Sequence, residues 1–499
     1  MSLDSATAIE PLTVPAPAMP AIVRIGRTIL SYPVMLAFGL AVITTLTVSN
    51  RFNNPDLWFH LRLGQIIWTT HSIPSTDIFS FTAQGHAWTA HEWLAGLGIY
   101  TVYRMGGYQG LMIGFAGLAS ILFALVYFLC YRRCGSALLA FLGGVCAWFF
   151  STGGLAIRPH LVGYLFLTIE LILLHLASRN RRWLWLLPPL FAIWVNCHGS
   201  HIFGIGVLFV YWLCSFAQGN WGVAFAEAKG SQERKALGTV LLVSVLALCC
   251  NPVGVRLLLY PLNVGLQQSV QMSAVEEWLP PDLRSVRALA MIAVVVGVVV
   301  VASLRRLQLP LRDLLVLVAA FALSLEHVRM LFVFGIVVSP VLCLVLAPAW
   351  SEDRSHDHPL ANGLFVCAFL AAIIWHFPSR TDLASQVTKA NPAGAVDYIR
   401  RTKLSGPMLN EYVFGDYLTW ALPEEKDFVD GRGDVFEWTG VLQEFGRWAT
   451  LQEDPAVLLE KYKIHFCLIS KGAPMAYVLP YLTGWRKVYG DDVAVIFAR

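Results

Sequence analysis

Asp56, His60, Arg62, Asp77, His91 and Glu92 lie in one stretch, Asn50 to Arg104, that separates two long apolar runs. The same stretch holds Trp58, Trp68, Trp88 and Trp93. A plain tether between two membrane spans needs neither acids nor imidazoles. Gathered between apolar runs, these residues suit a place where a polar headgroup meets lipid, because Trp favours headgroup depth. Asp56, just after the first run, has the chemistry of a general base toward an acceptor hydroxyl or amine. Partial desolvation would raise its pKa toward the working range. It could equally cap a helix beginning at Leu57. Asp77, in PSTDIFS, reads as a helper acid or as a turn residue bonded to its own backbone. Glu92 can tune the adjacent His91, or complement the dipole of the helix that follows. Together Asp56, Asp77 and Glu92 could hold a divalent cation. No other cofactor is indicated. Most of the 10 cysteines lie in apolar runs, and no CxxC or Cys/His spacing suggests zinc.

Further along, Arg158 and His160 precede an apolar run, Asn196 and His198 follow one, and Glu326, His327 and Arg329 lie between two. With His60, Arg62 and His91 they form the candidate substrate-binding set. Phosphate recognition needs Arg or His donors, and Arg offers a planar fork. Taken singly, each Arg is a snorkelling side chain and each His a satisfied interfacial group. As a set on one side of a membrane, they point to a polar substrate. No HExxH, GxSxG, P-loop or EF-hand pattern is present.

What must position them is lipid-embedded. Of the 499 residues, 57% are hydrophobic and 14% charged, with mean hydropathy +0.60, against about 25% charged in soluble proteins. A net charge of +4 is too small to imply nucleic acid binding. Apolar runs place spans near 29–49, 109–131, 136–152, 160–178, 183–197, 200–217, 236–250, 287–304, 310–325, 328–348 and 359–377, about eleven in all. With Arg24 and Arg27 inside, alternation places Arg132–Arg133, Arg179/Arg181/Arg182, Lys229/Arg234/Lys235 and Arg305/Arg306/Arg312 inside too. The polar connections then fall on the outer face. The expectation is a multi-pass protein of the cytoplasmic (inner) membrane with its N-terminus cytoplasmic. Residues 1–28 are a disordered cytoplasmic N-terminus, and 29–378 a transmembrane domain whose outer loop, 50–108, carries two interfacial helices. Residues 385–499 are an extracytoplasmic α/β domain. Its strands are expected in PMLNEY, KDFVDGR, HFCLIS and VAVIFAR, and helices at 435–449, 455–462 and 473–482.

The chain resembles the GT-C superfamily of membrane glycosyltransferases, in a bacterial branch near the protein O-mannosyltransferase and lipid A aminoarabinose transferase groups. The resemblance rests on NPDLWFHLRLGQII, IPSTDIFSFTAQGHAWTAHEWL, the IRPH turn, WVNCHGSHIFG, the NPVG turn and NEYVFGDYLTW…KDFVDGRGDVF, and spans about 50 to 450. It implies a sugar taken from a polyprenyl-phosphate or polyprenyl-diphosphate carrier and passed to a glycan, lipid or protein acceptor on the outer face. By position Asp56 matches the first-loop catalytic acid. The paired Asp-Glu of protein mannosyltransferases and the WWDYG-type motif of oligosaccharyltransferases are absent from the matching stretches. The resulting expectation is an inverting transfer. Asp56 is the base, Asp77 or Glu92 the helper, and Arg158, His160, His198 and Arg329 hold the carrier phosphate. The rival readings are a flippase or transporter of lipid-linked sugars, and a non-catalytic envelope assembly or sensory protein.

Overall fold

The computed structural model describes residues 26, 28–49, 52, 54–267, 276–350 and 357–499. Almost all of the expected disordered N-terminus, with Arg24 and Arg27, lies outside the described residues, as does part of the 251–284 loop. Helices stand at every expected span. They are α1 (Tyr32–Val48), α3 (Trp93–Cys134), α4 (Ala137–Ser151), α5 (His160–Ala177), α6 (Leu187–Cys197), α7 (His201–Cys214), α8 (Ser231–Ala247), α10 (Val286–Leu304), α11 (Leu311–Glu326), α12 (Leu331–Leu346) and α13 (Pro359–His376). Between them lie α2 (Asp56–Thr70), the first loop helix, and α9 (Val255–Gln267). Among the described residues, six helices are long and apolar enough to cross a membrane, in the regions of α3, α4, α5, α10, α12 and α13; α1 and α7 are apolar but shorter. A helix keeps its backbone hydrogen bonds to itself, so it needs no water in lipid. The segment around α12 is the centre of the bundle, 78% buried, whereas α13 lies on its outside at 6%.

The long α3 is two pieces. Gly107, at φ 58° and ψ −146°, breaks the run, leaving an arm from Trp93 and a span to Cys134. That backbone conformation suits glycine, which has no Cβ to clash. The arm crosses α2 where Gly64 faces Gly96, and a Cβ on Gly64 would collide with the Gly96 carbonyl oxygen. Gly64→Ala is therefore expected to destabilise the protein by about 1–3 kcal/mol, the usual effect of overpacking. Denaturant unfolding in detergent measures it. Gly98→Ala is the control, since its Cβ would meet nothing within 4 Å.

Contacts sort the connections onto two ends of the bundle. Arg158 pairs with Asp56 and Glu277, Glu92 with His198, and His327 bonds the Trp278 carbonyl. These bring together the first loop and the turns near 153–160, 196–201, 276–278 and 327–329. The other end holds the Arg133–Asp313 pair, the Arg181–Gln232 bond and a small sheet. The strands of that sheet are β1 (Gly219–Trp221), β2 (Ala224–Ala226) and β3 (Leu309–Pro310).

The C-terminal segment forms a four-stranded sheet in the order β4-β5-β7-β6, from Met408–Asn410, Phe466–Ser470, Ala494–Ala498 and Arg486–Gly490. The β4–β5 pair is parallel and the others are antiparallel. Three expected strands are present, and Arg486–Gly490 adds one that was not expected. KDFVDGR is not a strand. Its backbone is laid along the first loop instead: Phe81 N–H donates to the Asp427 carbonyl at 3.1 Å, and Asp427 N–H to the Phe79 carbonyl at 3.3 Å. The helix expected at 435–449 is split by Gly440, at φ 77°, into Gly433–Trp438 and Val441–Ala449.

Candidate active site

Asn54 settles one question at the start of α2. Its side-chain oxygen accepts the Asp56 N–H at 2.9 Å. The residue before the helix is Pro55, which makes no side-chain cap. The Asp56 carboxylate is therefore not the cap, and it turns to Arg158, with Oδ2 2.9 Å from Nε. This is an ion pair by proximity. Arg158 Nε makes no hydrogen bond among the described residues, and Asp56 is 41% exposed. Parting such a pair costs little, so the carboxylate is available for other work.

Arg158 reaches further. Its Nη1 donates to Glu277 at 2.5 Å. Burial opposes charge on both partners, yet the Asp56 and Glu277 carboxylates hold the Arg158 pKa above its ordinary value. Glu277 is held below the usual carboxylate range, its burial outweighed by Arg158 and Arg329. Arg329 lies over the Trp278 ring, 4.2 Å from its centroid, and His327 Nδ1 is 2.6 Å from the Trp278 carbonyl. Glu277 and Trp278 were not among the expected site residues. Their signal was the EEWLPP run, which puts two acids beside a tryptophan between apolar helices.

A second group adjoins the first. Three imidazoles face Glu92: His60 Nε2 at 3.4 Å, His198 Nε2 at 3.5 Å and His91 Nε2 at 3.7 Å. His198 Nδ1 is 2.8 Å from Ser200 Oγ. The His160 and His198 ring centroids lie 6.4 Å apart, which links the two groups. His160 Nε2 is 2.6 Å from the Gly154 carbonyl. A carbonyl only accepts, so this nitrogen carries the proton. Asn196 is a brace. It accepts the Trp93 indole N–H at 2.7 Å and donates to the Ala192 and Cys250 carbonyls. The C-terminal segment closes the far side through Asp434: Tyr260 of α9 lies against His91, ring centroids 4.5 Å apart, and donates to Asp434 at 2.9 Å.

Burial, only partly opposed by Glu92, lowers the His60 pKa to about 4. Burial, aided by Arg329 and His160, holds His198 well below the ordinary imidazole range. Both are neutral at pH 7, so the positive charge here comes from Arg158 and Arg329. The unfolded chain binds the His60 proton near pH 6.5, whereas the folded chain binds it only near pH 4. Stability tied to this group is complete above pH 6.5 and is lost as pH falls toward 4, on the order of 3 kcal/mol. Thermal unfolding across that window is expected to fall steeply in the wild type and less steeply in His60→Gln.

Three expected site residues lie apart. Asp77 is 1% exposed and bound to Arg432 Nη2 at 2.6 Å, to the Ser80 hydroxyl at 2.7 Å and to the Phe79 and Ser80 amides. Its oxygens are engaged by these partners, away from the Asp56–Arg158 pair. Arg62 donates to Gln65 one turn along α2 at 2.7 Å. Glu326 is exposed at the end of α11. The three acids expected to share a cation thus sit in three settings. Among the described residues no three His, Cys, Asp or Glu side chains are grouped as a metal centre.

No protein-family model matches the sequence, and no curated protein sequence does. Solved structures do match. The Archaeoglobus fulgidus oligosaccharyltransferase, crystallised with Zn and sulfate, aligns with TM-score 0.54 at 12% identity, over 93% of this chain and 73% of that one. The fold is GT-C. ArnT from Cupriavidus metallidurans aligns with TM-score 0.48 at 13% identity in its undecaprenyl phosphate complex and 0.49 at 14% in its apo state. Both alignments cover 92% of this chain and 97% of ArnT. In this chain, Asp56, Arg158 and Glu277 meet where the first loop folds back on the bundle, with the Glu92 group beside them.

Proposed function

We propose that the protein is a membrane glycosyltransferase. It moves a sugar from a polyprenyl-phosphate-linked donor to a glycan, lipid or protein acceptor on the outer face of the cytoplasmic membrane. The observation that carries this reading is the pairing of Asp56 with Arg158. It joins a half-exposed carboxylate, not used as a helix cap, to a guanidinium with N–H groups to spare. Sharing a fold with an oligosaccharyltransferase agrees with it.

In the proposed step Asp56 takes the proton of the acceptor hydroxyl or amine. The freed oxygen or nitrogen bonds to the anomeric carbon as the bond from that carbon to the phosphate oxygen breaks. The electron pair leaves on the polyprenyl phosphate. Arg158, through its remaining N–H groups, and Arg329 balance that charge. His160, whose one N–H goes to the Gly154 carbonyl, and His198, whose Nδ1 accepts the Ser200 amide N–H, line the site without adding charge, and Glu92 orients His60, His91 and His198. Where the transfer uses a divalent cation, Glu92 is the acid of the expected three that has imidazoles around it. The basic end of the bundle lies in the cytoplasm by the positive-inside rule, and residues 385–499 lie outside as the α/β domain.

The test is the purified protein in lipid nanodiscs, supplied with polyprenyl-phosphate sugars and an envelope extract as acceptor source. The expected result is glycosylated product with equimolar free polyprenyl phosphate. Movement of lipid-linked sugar across sealed vesicles with no product would instead establish the flippase reading.

A further inference from the structure

The end of the bundle opposite Asp56 encloses a cavity of about 210 Å³. Leu174, Leu184 and Leu237 give it an apolar wall, and Arg181, Lys229 and Arg312 bring charge. Of these cations, Lys229 is engaged by Glu233 at 3.2 Å. Arg181 donates only to the neutral Gln232 among the hydrogen bonds of the described residues, at 3.2 Å. Arg312 lies over the Tyr211 ring, 5.2 Å from its centroid. Its Nε is buried and makes no hydrogen bond among the described residues. Asp313, next in sequence, is bound by Arg133 at 2.6 Å and by the Tyr211 hydroxyl at 3.2 Å. Glu227, the remaining acid of the lining, is exposed. The cavity therefore presents two guanidiniums with donors left over.

The surroundings identify the ligand as a lipid. Trp183 and Trp185, on the turn that carries Arg181, are 41% and 51% exposed, and Trp221 of β1 is 54% exposed. Tryptophans so placed mark headgroup depth. Leu213 and Phe216, at the end of α7, are each 50% exposed and offer an apolar track for acyl chains. Basic pockets between helices at such a depth suit anionic lipid headgroups. We propose that this cavity holds the phosphate of an anionic membrane lipid, with Arg181 and Arg312 as its donors. The proposal stands apart from the glycosyl-transfer reading, whose groups are all at the other end of the bundle.

The experiment titrates phosphatidylglycerol into the full chain in neutral detergent and follows the thermal midpoint. Phosphatidylcholine and inorganic phosphate are run in parallel. A saturable rise is expected with phosphatidylglycerol alone. In Arg181→Gln and in Arg312→Gln its half-saturation moves at least about tenfold higher, the effect of one charge-assisted hydrogen bond. Arg181 is exposed, so Arg181→Gln reports even if Arg312→Gln does not fold. Arg380, which donates to Gln109 beside the Gly107 break at 2.9 Å, is at the other end, and Arg380→Gln keeps the wild-type titration. An unchanged half-saturation in Arg181→Gln overturns the proposal. So does an equal response to phosphatidylcholine, or to inorganic phosphate, which would make this a small-anion site.

Discussion

Asp56→Asn is expected to lower sugar transfer about 100-fold or more while the protein stays folded. General-base catalysis contributes about 10²–10⁴-fold, and an amide cannot take the proton. The structural consequences are small for stated reasons. The cap of α2 comes from Asn54, so the helix start survives. The lost partner of Arg158 is replaced by a neutral group of the same shape, and Glu277 still holds the guanidinium at 2.5 Å. A pair this exposed contributes within about 1 kcal/mol. The thermal midpoint and the transfer rate are measured on the same preparation. Full transfer by a folded Asp56→Asn protein would end the assignment.

The sequence showed the helices more plainly than the site. Apolar runs near 20 residues long have few readings, and each received its helix. The two-ended sorting of loops was legible because Lys and Arg near span ends alternate in a regular way. The pairings were not legible, since Asp56 meets Arg158 across 102 positions and no local pattern encodes that. Asp77 shows the harder limit. PSTDIFS reads the same whether its acid faces substrate or a buried guanidinium, and Arg432 lies in a different part of the chain. KDFVDGR misled for a related reason. Its adjacent Phe428 and Val429 imitate a short buried strand, but Asp427 and Asp430 on either side belong to a buried polar cluster, and the backbone pairs with the first loop. The RGD at 432–434, unremarkable as a tripeptide, turned out to carry the key cation of that cluster.

Arg432→Met is expected to destabilise the protein by about 3–5 kcal/mol, the largest single effect on stability predicted here. Arg432 is 5% exposed. Its guanidinium meets Asp430 at 2.5 Å and Asp77 at 2.6 Å, and lies 4.7 to 5.8 Å from the ring centroids of Phe79, Trp88, Phe59 and Phe436. Burial opposes its charge, yet Asp430 and then Asp77 raise its pKa above the ordinary arginine value. Removing it leaves two carboxylates facing each other away from water. It also cuts the tie between the first loop, which supplies Asp77, and the C-terminal segment, which supplies Asp430. Asp77→Asn is expected to follow with a smaller loss, because Asp430 keeps its hydrogen bonds to Arg432 Nε and Nη2. Denaturant unfolding ranks the two, and transfer activity per folded molecule separates support from chemistry. If Asp77 only anchors the loop, that specific activity stays within a few-fold of wild type where Asp56→Asn loses it. A stable Asp77→Asn protein with its transfer gone would return Asp77 to the reaction.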